Sequence, residues 1–242
     1  MCGRYIIDDE AYADILQILH DMNAAKDRVS SENITMADFT KGEYTKGEVF
    51  PTNIAPVIEN GVIVAVKWGF PHWKNTGVII NARSETALEK RMFGKPLRER
   101  RCVIPSSGFY EWGDNSDWSH GADRSRFNTY NRSSGRNTGR KRKNKYLFRK
   151  PGEHSLYMAG MVGTFRDALG EEYSAFTILT TAANDDVAPI HDRMPVILAA
   201  DEVDLWINDN VFMEFVLHRP GPELAHVLDT GNGADSFEQL SF

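Results

Sequence analysis

Residues 101–112 read RCVIPSSGFYEW. "RCVIP" has the apolar, β-branched composition of a buried strand, "SSG" is a turn signal, and "FYEW" returns to strand-like aromatics. The segment is therefore strand, tight turn, strand, and its surroundings repeat the theme. Upstream, GVIVAVKWGF at 61–70 and GVIINARSE at 77–85 read as strands, and EVFPTNIAPVIE carries proline-bounded turns. Downstream, KYLFRK, HSLYMAGMVGTF and EYSAFTILTT are three more strands joined by Gly- and acid-containing turns. Helical spacing is found at 9–22, where Tyr12, Ile15, Leu16, Leu19 and Met22 share a face, and in DEVDLWI and NVFMEFVL near the end. A short helix is expected from Ser84 in SETALEKRMF, with a glutamate as capping-box partner. The tail SFEQLSF reads as a final strand. Helices frame the strands and do not alternate with them. That order predicts an α+β fold, a single domain over residues 2–242 with a largely antiparallel, barrel-like β-sheet core flanked by short helices.

Composition narrows the class. With 242 residues, 41% hydrophobic and 11% aromatic, the chain can bury a sizeable core. No run approaches 18 apolar residues and the start lacks a basic region followed by an apolar one, so neither a membrane span nor a secretory signal is expected. Only Cys2 and Cys102 are present, which argues against a disulfide framework and against a zinc site and points to a reducing cytoplasm. Net charge is −6, but it is segregated. From His120 to Lys150 eleven Lys or Arg stand against one acid, a local +10 that leaves −16 for the rest. This basic, Gly/Ser/Asn-rich insertion at about 119–145 reads either as a mobile solvated loop or as a phosphate-contacting segment.

The chain opens MCGRY. Aminopeptidases remove Met1 when the next side chain is small, which would leave Cys2 with a free α-amine and a thiol on adjacent carbons. Such a 1,2-aminothiol closes on an aldehyde to a thiazolidine ring, and its α-amine titrates near pH 8. The plain alternative is a chance cysteine at a terminus. Phosphate-cradling, dinucleotide-binding, zinc-protease and serine-hydrolase signatures are all absent. Other candidates are scattered. Asn81 and Arg83 in "NAR" face one way on a strand, as an oxyanion or phosphate site or as strand-end polar residues. Glu111 between two aromatics is placed to be desolvated and to move a proton near neutral pH, unless it is a buried acid paired with an arginine. His191 and Arg193 in APIHDRMPVIL sit on a proline-bounded loop entering a strand, where a histidine is either a proton shuttle or a surface residue. Together they form an inventory for acid–base-assisted covalent chemistry on a carbonyl. An N-terminal-nucleophile amidohydrolase and a noncatalytic single-strand-binding module are the competing classes.

The segments MCGRY, PTNIAPV, WGF, INARSET, RCVIPSSGFYEW, TTAAN and IHDRMPVIL occur in the order found in the SOS response-associated peptidase (SRAP) family. The chain resembles that family from residue 2 to about residue 207. The resemblance implies an abasic-site sensor in single-stranded DNA that removes its own Met1 and crosslinks through Cys2. It implies that Asn81 holds the sugar or the terminal amine, that Glu111 is the general acid–base group and that His191 shuttles a proton. It also implies that Arg4, Arg83, Arg91 and Arg193 hold phosphates, with Thr180 on a matched loop, and that Trp73 is a wedge stacking on bases. Trp68 is expected in the core. No cofactor, metal or membrane is implied. The partner is abasic single-stranded DNA, bound by a monomer in the cytoplasm that joins the nucleoid when on DNA.

Overall fold

In the computed structural model, residues 2–230 are described except 12, 16, 19–44, 46, 73–75 and 114–142. Met1, Trp73, most of the basic insertion and the SFEQLSF tail therefore lie outside the described residues. The described strands are β1 (Tyr5–Ile7), β2 (Gly47–Val49), β3 (Ile54–Glu59), β4 (Val62–Trp68), β5 (Phe70–Pro71), β6 (Val78–Ile79), β7 (Asn81–Arg83), β8 (Arg101–Ser106), β9 (Gly108–Gly113), β10 (Asn144–Arg149), β11 (Leu156–Arg166), β12 (Glu172–Ala182), β13 (Arg193–Pro195), β14 (Ile197–Leu198) and β15 (Ala225–Leu228).

Five of them close on themselves. β4 pairs with β3, β3 with β8, β8 with β11 and β11 with β12, all antiparallel. A parallel seam between β12 and β4, with Phe176 opposite Trp68, shuts the ring. Closure leaves these strands no free edge. β7 and β13 extend β12, and β14 extends β11. A second, wholly antiparallel sheet runs in the order β15-β10-β9-β1-β2. The expected α+β class with a largely antiparallel, barrel-like core is therefore the fold observed.

The strand–turn–strand stretch joins the two sheets. β8 belongs to the barrel and β9 to the other sheet, so its halves do not pair with each other. Ser107 makes the crossing: its N–H donates to Ile6 O at 2.7 Å and its Oγ accepts the N–H of Asp8 at 2.8 Å. Gly108 follows because a Cβ there would lie 2.5 Å from the Phe148 carbonyl oxygen. All six residues of β8 are buried, which explains its lack of alternation: a strand covered on both faces reads as a continuous apolar run. Part of that cover is the helix Val203–Asn208, whose Trp206 donates its indole N–H to Cys102 O at 3.0 Å. Arg101, 4% exposed, sends its guanidinium to the carbonyls of Leu97, Arg98, Trp206 and Ile207 and to Asn210 Oδ1, so a buried cation satisfies the ends of two helices.

Trp68 is fully buried, stacks on Phe176 at 6.1 Å and meets Tyr5 edge-on at 5.2 Å. Its indole N–H donates to Ile80 O at 3.1 Å, as a buried tryptophan requires. It is a core residue, as expected. Several boundaries differ from the sequence reading. The 61–70 run ends at Trp68 because Gly69 takes φ +112°, a conformation side chains rarely adopt. The 77–85 run breaks at Ile80. The helix expected from Ser84 is two helices, Ser84–Ala87 and Arg91–Glu99, and the capping box does not form: Arg83 is the N-cap without a side-chain bond, and Ser84 is buried. β15 is a strand the sequence did not announce. Among the described residues no helix is long and apolar enough to cross a membrane.

Candidate active site at the N-terminal arm

Cys2, Gly3 and Arg4 precede β1 and continue its approach to β9, since Tyr110 N–H donates to Arg4 O at 2.9 Å. This places the arm over Glu111, the next residue of β9. Cys2 is 0% exposed, and its thiol donates to Arg4 O at 3.6 Å. Burial, reinforced by the nearby Glu111 charge, pushes that thiol well above its usual range. Asn81 opens β7, which is held parallel to β12 with Asn81 opposite Ile178. From there its Nδ2 donates to Cys2 O at 2.8 Å, while its Oδ1 is buried with no hydrogen-bond partner among the described residues.

Glu111 lies opposite Tyr146 on β10 and is 2% exposed. Burial pushes its carboxyl up to about 7, against the opposing charge of the chain's terminal amine. A carboxyl in that range exchanges protons at neutral pH. His191 precedes β13. Burial lowers its pKa, the charge of the terminal amine lowers it further, and Asp192 acts the other way. Its Nδ1 lies 3.0 Å from both the Arg193 N–H and Asp192 Oδ1. One nitrogen cannot accept from the first and donate to the second. The downward shift and the exposure of Asp192 favour the acceptor role, which leaves the neutral imidazole with its proton on Nε2. The structure thus brings Asn81 into contact with Cys2, and sets Glu111 and His191 where each feels the charge of the chain terminus.

The residues tied to DNA by resemblance divide into two groups. Arg83 and Arg91 are exposed and make no side-chain hydrogen bond or ion pair with a described residue. Arg193 is turned inward, with a two-pronged ion pair to Glu85 at 2.6 and 2.8 Å and a further bond to Thr180 O. Thr180 is fully buried, its hydroxyl reaching Ala82 O at 3.5 Å. Arg4 donates Nη1 to Glu48 at 2.9 Å and lies over Phe50 (4.1 Å) and Trp112 (5.1 Å). Glu48 and Phe50 were not singled out by the sequence. Trp112 carried one usable signal, its position two residues from Tyr110 on the same strand. Among the described residues no group of three or more His, Cys, Asp or Glu could hold a metal ion.

A sequence model of the SOS response associated peptidase (SRAP) family matches residues 1–214. The abasic site processing protein YoaM of Bacillus subtilis is 32% identical over 164 residues, covering 64% of this chain and 62% of that protein. YedK of Escherichia coli, also named an abasic site processing protein, is 29% identical over 148 residues, 60% of this chain and 55% of its own. The rat protein HMCES, of the same description, is 31% identical over 161 residues, 61% and 45%. The matched part is thus under two thirds of each of these curated relatives. A crystal structure of a protein from Bacteroides thetaiotaomicron superposes with a TM-score of 0.65 at 20% identity, covering 94% of this chain and 91% of that one, which is a likeness of fold. With a family model that matches residues 1–214, the chain belongs to the SOS response associated peptidase family.

Proposed function

We propose that this protein captures abasic sites in single-stranded DNA as a covalent thiazolidine on Cys2, after removing its own Met1. The observation that carries the proposal is the bond from Asn81 Nδ2 to the Cys2 carbonyl, which fixes the backbone of the one residue whose amine and thiol can act as a pair. The relatives' shared description as abasic site processing proteins agrees with it.

One water cleaves the Met1–Cys2 peptide bond and frees the Cys2 α-amine. That amine adds to the aldehyde carbon of the ring-opened sugar, and loss of one water gives an imine. The Cys2 S–H then adds across the C=N bond, sulfur to carbon and proton to nitrogen, closing the ring. Holding both groups on one residue makes the second addition intramolecular. Glu111 in its acid form protonates the departing hydroxyl and takes a proton back as carboxylate, which a carboxyl near 7 does at neutral pH. Neutral His191 moves the proton between sulfur and nitrogen.

Exposed Arg83 and Arg91 supply phosphate contacts directly. Arg4 and Arg193 contribute through donors their carboxylates leave over, and Trp73 stacks on bases beside the lesion. The same reading takes the chain as one domain acting as a monomer in the cytoplasm and at the nucleoid, with the basic insertion widening the DNA-binding face. The test is direct: incubate Met1-free protein with single-stranded DNA carrying one abasic site and look for a heat-stable shifted band. Wild type gives the band and Cys2→Ala does not. No band, or equal bands, overturns the proposal. Turnover of a small amide with no band would instead favour the amidohydrolase class.

A further inference from the structure

Glu48 stands at the centre of a cluster of charged side chains. Its Oε2 accepts Arg4 Nη1 at 2.9 Å and its Oε1 accepts Lys145 Nζ. Lys145 is also paired with Asp229 at 2.8 Å and sits 3.8 Å over the Tyr110 ring. Burial, with the Glu48 and Asp229 charges, holds the Tyr110 phenol up at about 12. Four strands meet here: Glu48 is on β2, Tyr110 on β9, Lys145 on β10, and Asp229 follows β15.

Arg4 is the one member on the N-terminal arm. Its main chain already serves the site, since its carbonyl accepts both the Cys2 thiol and the Tyr110 N–H. Among the described residues, the arm before β1 makes one ladder-type bond, from Tyr110 N–H to Arg4 O. Besides the Asn81 bond to Cys2 O, what fixes it laterally is the Arg4 side chain, lying over Phe50 and Trp112 and tied at its end to Glu48. We infer that Glu48 is a positioning residue: by anchoring Arg4 to β2 and β10 it holds Cys2 against Asn81 and Glu111. The inference rests on the capture reading for its consequence but not for its geometry.

The charge of Glu48 makes the test discriminating. A carboxylate beside a DNA track repels phosphate, so removing it should tighten binding of undamaged single-stranded DNA. If Glu48 only repelled DNA, capture would speed up with binding. As a positioning residue its loss slows capture even as affinity rises. Two readouts separate the cases in Glu48→Ala, with Glu48→Gln as an isosteric variant that keeps one acceptor oxygen. The first needs no DNA: the alkylation rate of Cys2 by iodoacetamide, with buried Cys102 as internal reference. We expect Cys2 to react about tenfold faster in Glu48→Ala, with an intermediate rate in Glu48→Gln and Cys102 unchanged. In an Arg4→Ala background the Glu48 change should add nothing. The second is capture at saturating abasic DNA, expected to fall about fivefold in Glu48→Ala while undamaged DNA binds more tightly. Unchanged Cys2 alkylation overturns the inference, and so does capture that keeps pace with affinity. Altered alkylation in a protein whose wild type gives no crosslink would keep the positioning role and reject the capture chemistry, so the two failures read differently. Should Cys102 react in Glu48→Ala, Glu48→Gln decides.

Discussion

The two cysteines occupy opposite kinds of surroundings, although both are fully buried and both thiols are pushed up by burial. Cys102 is the second residue of β8 in the closed barrel, its carbonyl taken by Trp206, and the charges that act on its thiol are those of Glu59 and Arg100, which are already paired with each other. Cys2 sits on an arm between the barrel and the second sheet, bonded by the Asn81 amide and within reach of the charge of Glu111, a carboxyl near 7. Burial alone therefore does not distinguish the two thiols. What differs is the company of proton-moving groups and the position in the chain, since only the second residue can ever present its own amine.

The sharpest way to break this contrast is to remove each sulfur in turn. Cys2→Ala should lower crosslinking to abasic single-stranded DNA by at least about a hundredfold with little change in stability. Cys102→Ala should leave capture intact and cost about 1 kcal/mol, measured by urea unfolding. Reversed outcomes would place the chemistry in the barrel. Next in size is Glu111. Its carboxyl is raised by burial from 4.5 to about 7, so between those values the folded state binds more protons than the unfolded chain and stability falls as pH rises. Glu111→Gln removes that cost, and should stabilise the fold by about 2–3 kcal/mol at pH 8 and by almost nothing at pH 4.5. The same variant should retain Met1, which intact mass reads. A pH-independent effect would mean the carboxyl is not desolvated in the folded protein. Asn81→Ala should slow capture about tenfold at saturating DNA, the loss expected for one buried amide bond of about 1.4 kcal/mol; an unaltered rate would detach β7 from the site.

The smallest effects separate the two classes of arginine. Arg193→Ala breaks its pair with Glu85 and should cost about 1–2 kcal/mol of stability. Arg83→Ala should stay within about 0.5 kcal/mol while reducing the slope of log affinity against log salt by about one. Equal stability losses would mean that Arg83 is built into the structure as firmly as Arg193.

Strands of the barrel were legible because their apolar runs are long and bounded by turn residues. Their partners were not. RCVIPSSGFYEW gives two strands and a turn, but nothing in it says that β8 and β9 enter different sheets. That depends on Ser107 meeting Ile6 and Asp8 about a hundred residues away. In the same way Asn81, Glu111 and His191 could be named as chemically suited groups, yet what seats Asn81 is the parallel pairing of β7 with β12. Glu48 left no trace, because a glutamate in a short polar strand looks like solvated surface until Arg4 and Lys145 are seen to converge on it. Boundaries failed where one residue's backbone overrode local preference, as at Gly69, and where a long-range acceptor was needed, as at Ile80 O for the Trp68 indole.

The parallel seam of the barrel has a consequence for biosynthesis. It joins Trp68 to Phe176, so the ring cannot shut until most of the polypeptide has left the ribosome, and closing so long a loop is slow. The groups that bury the second residue are delivered by that late event. During translation the terminus accordingly lacks the Asn81 contact, because β7 is seated only when it pairs with the late strand β12. Self-cleavage of Met1, as proposed, would then follow closure of the ring.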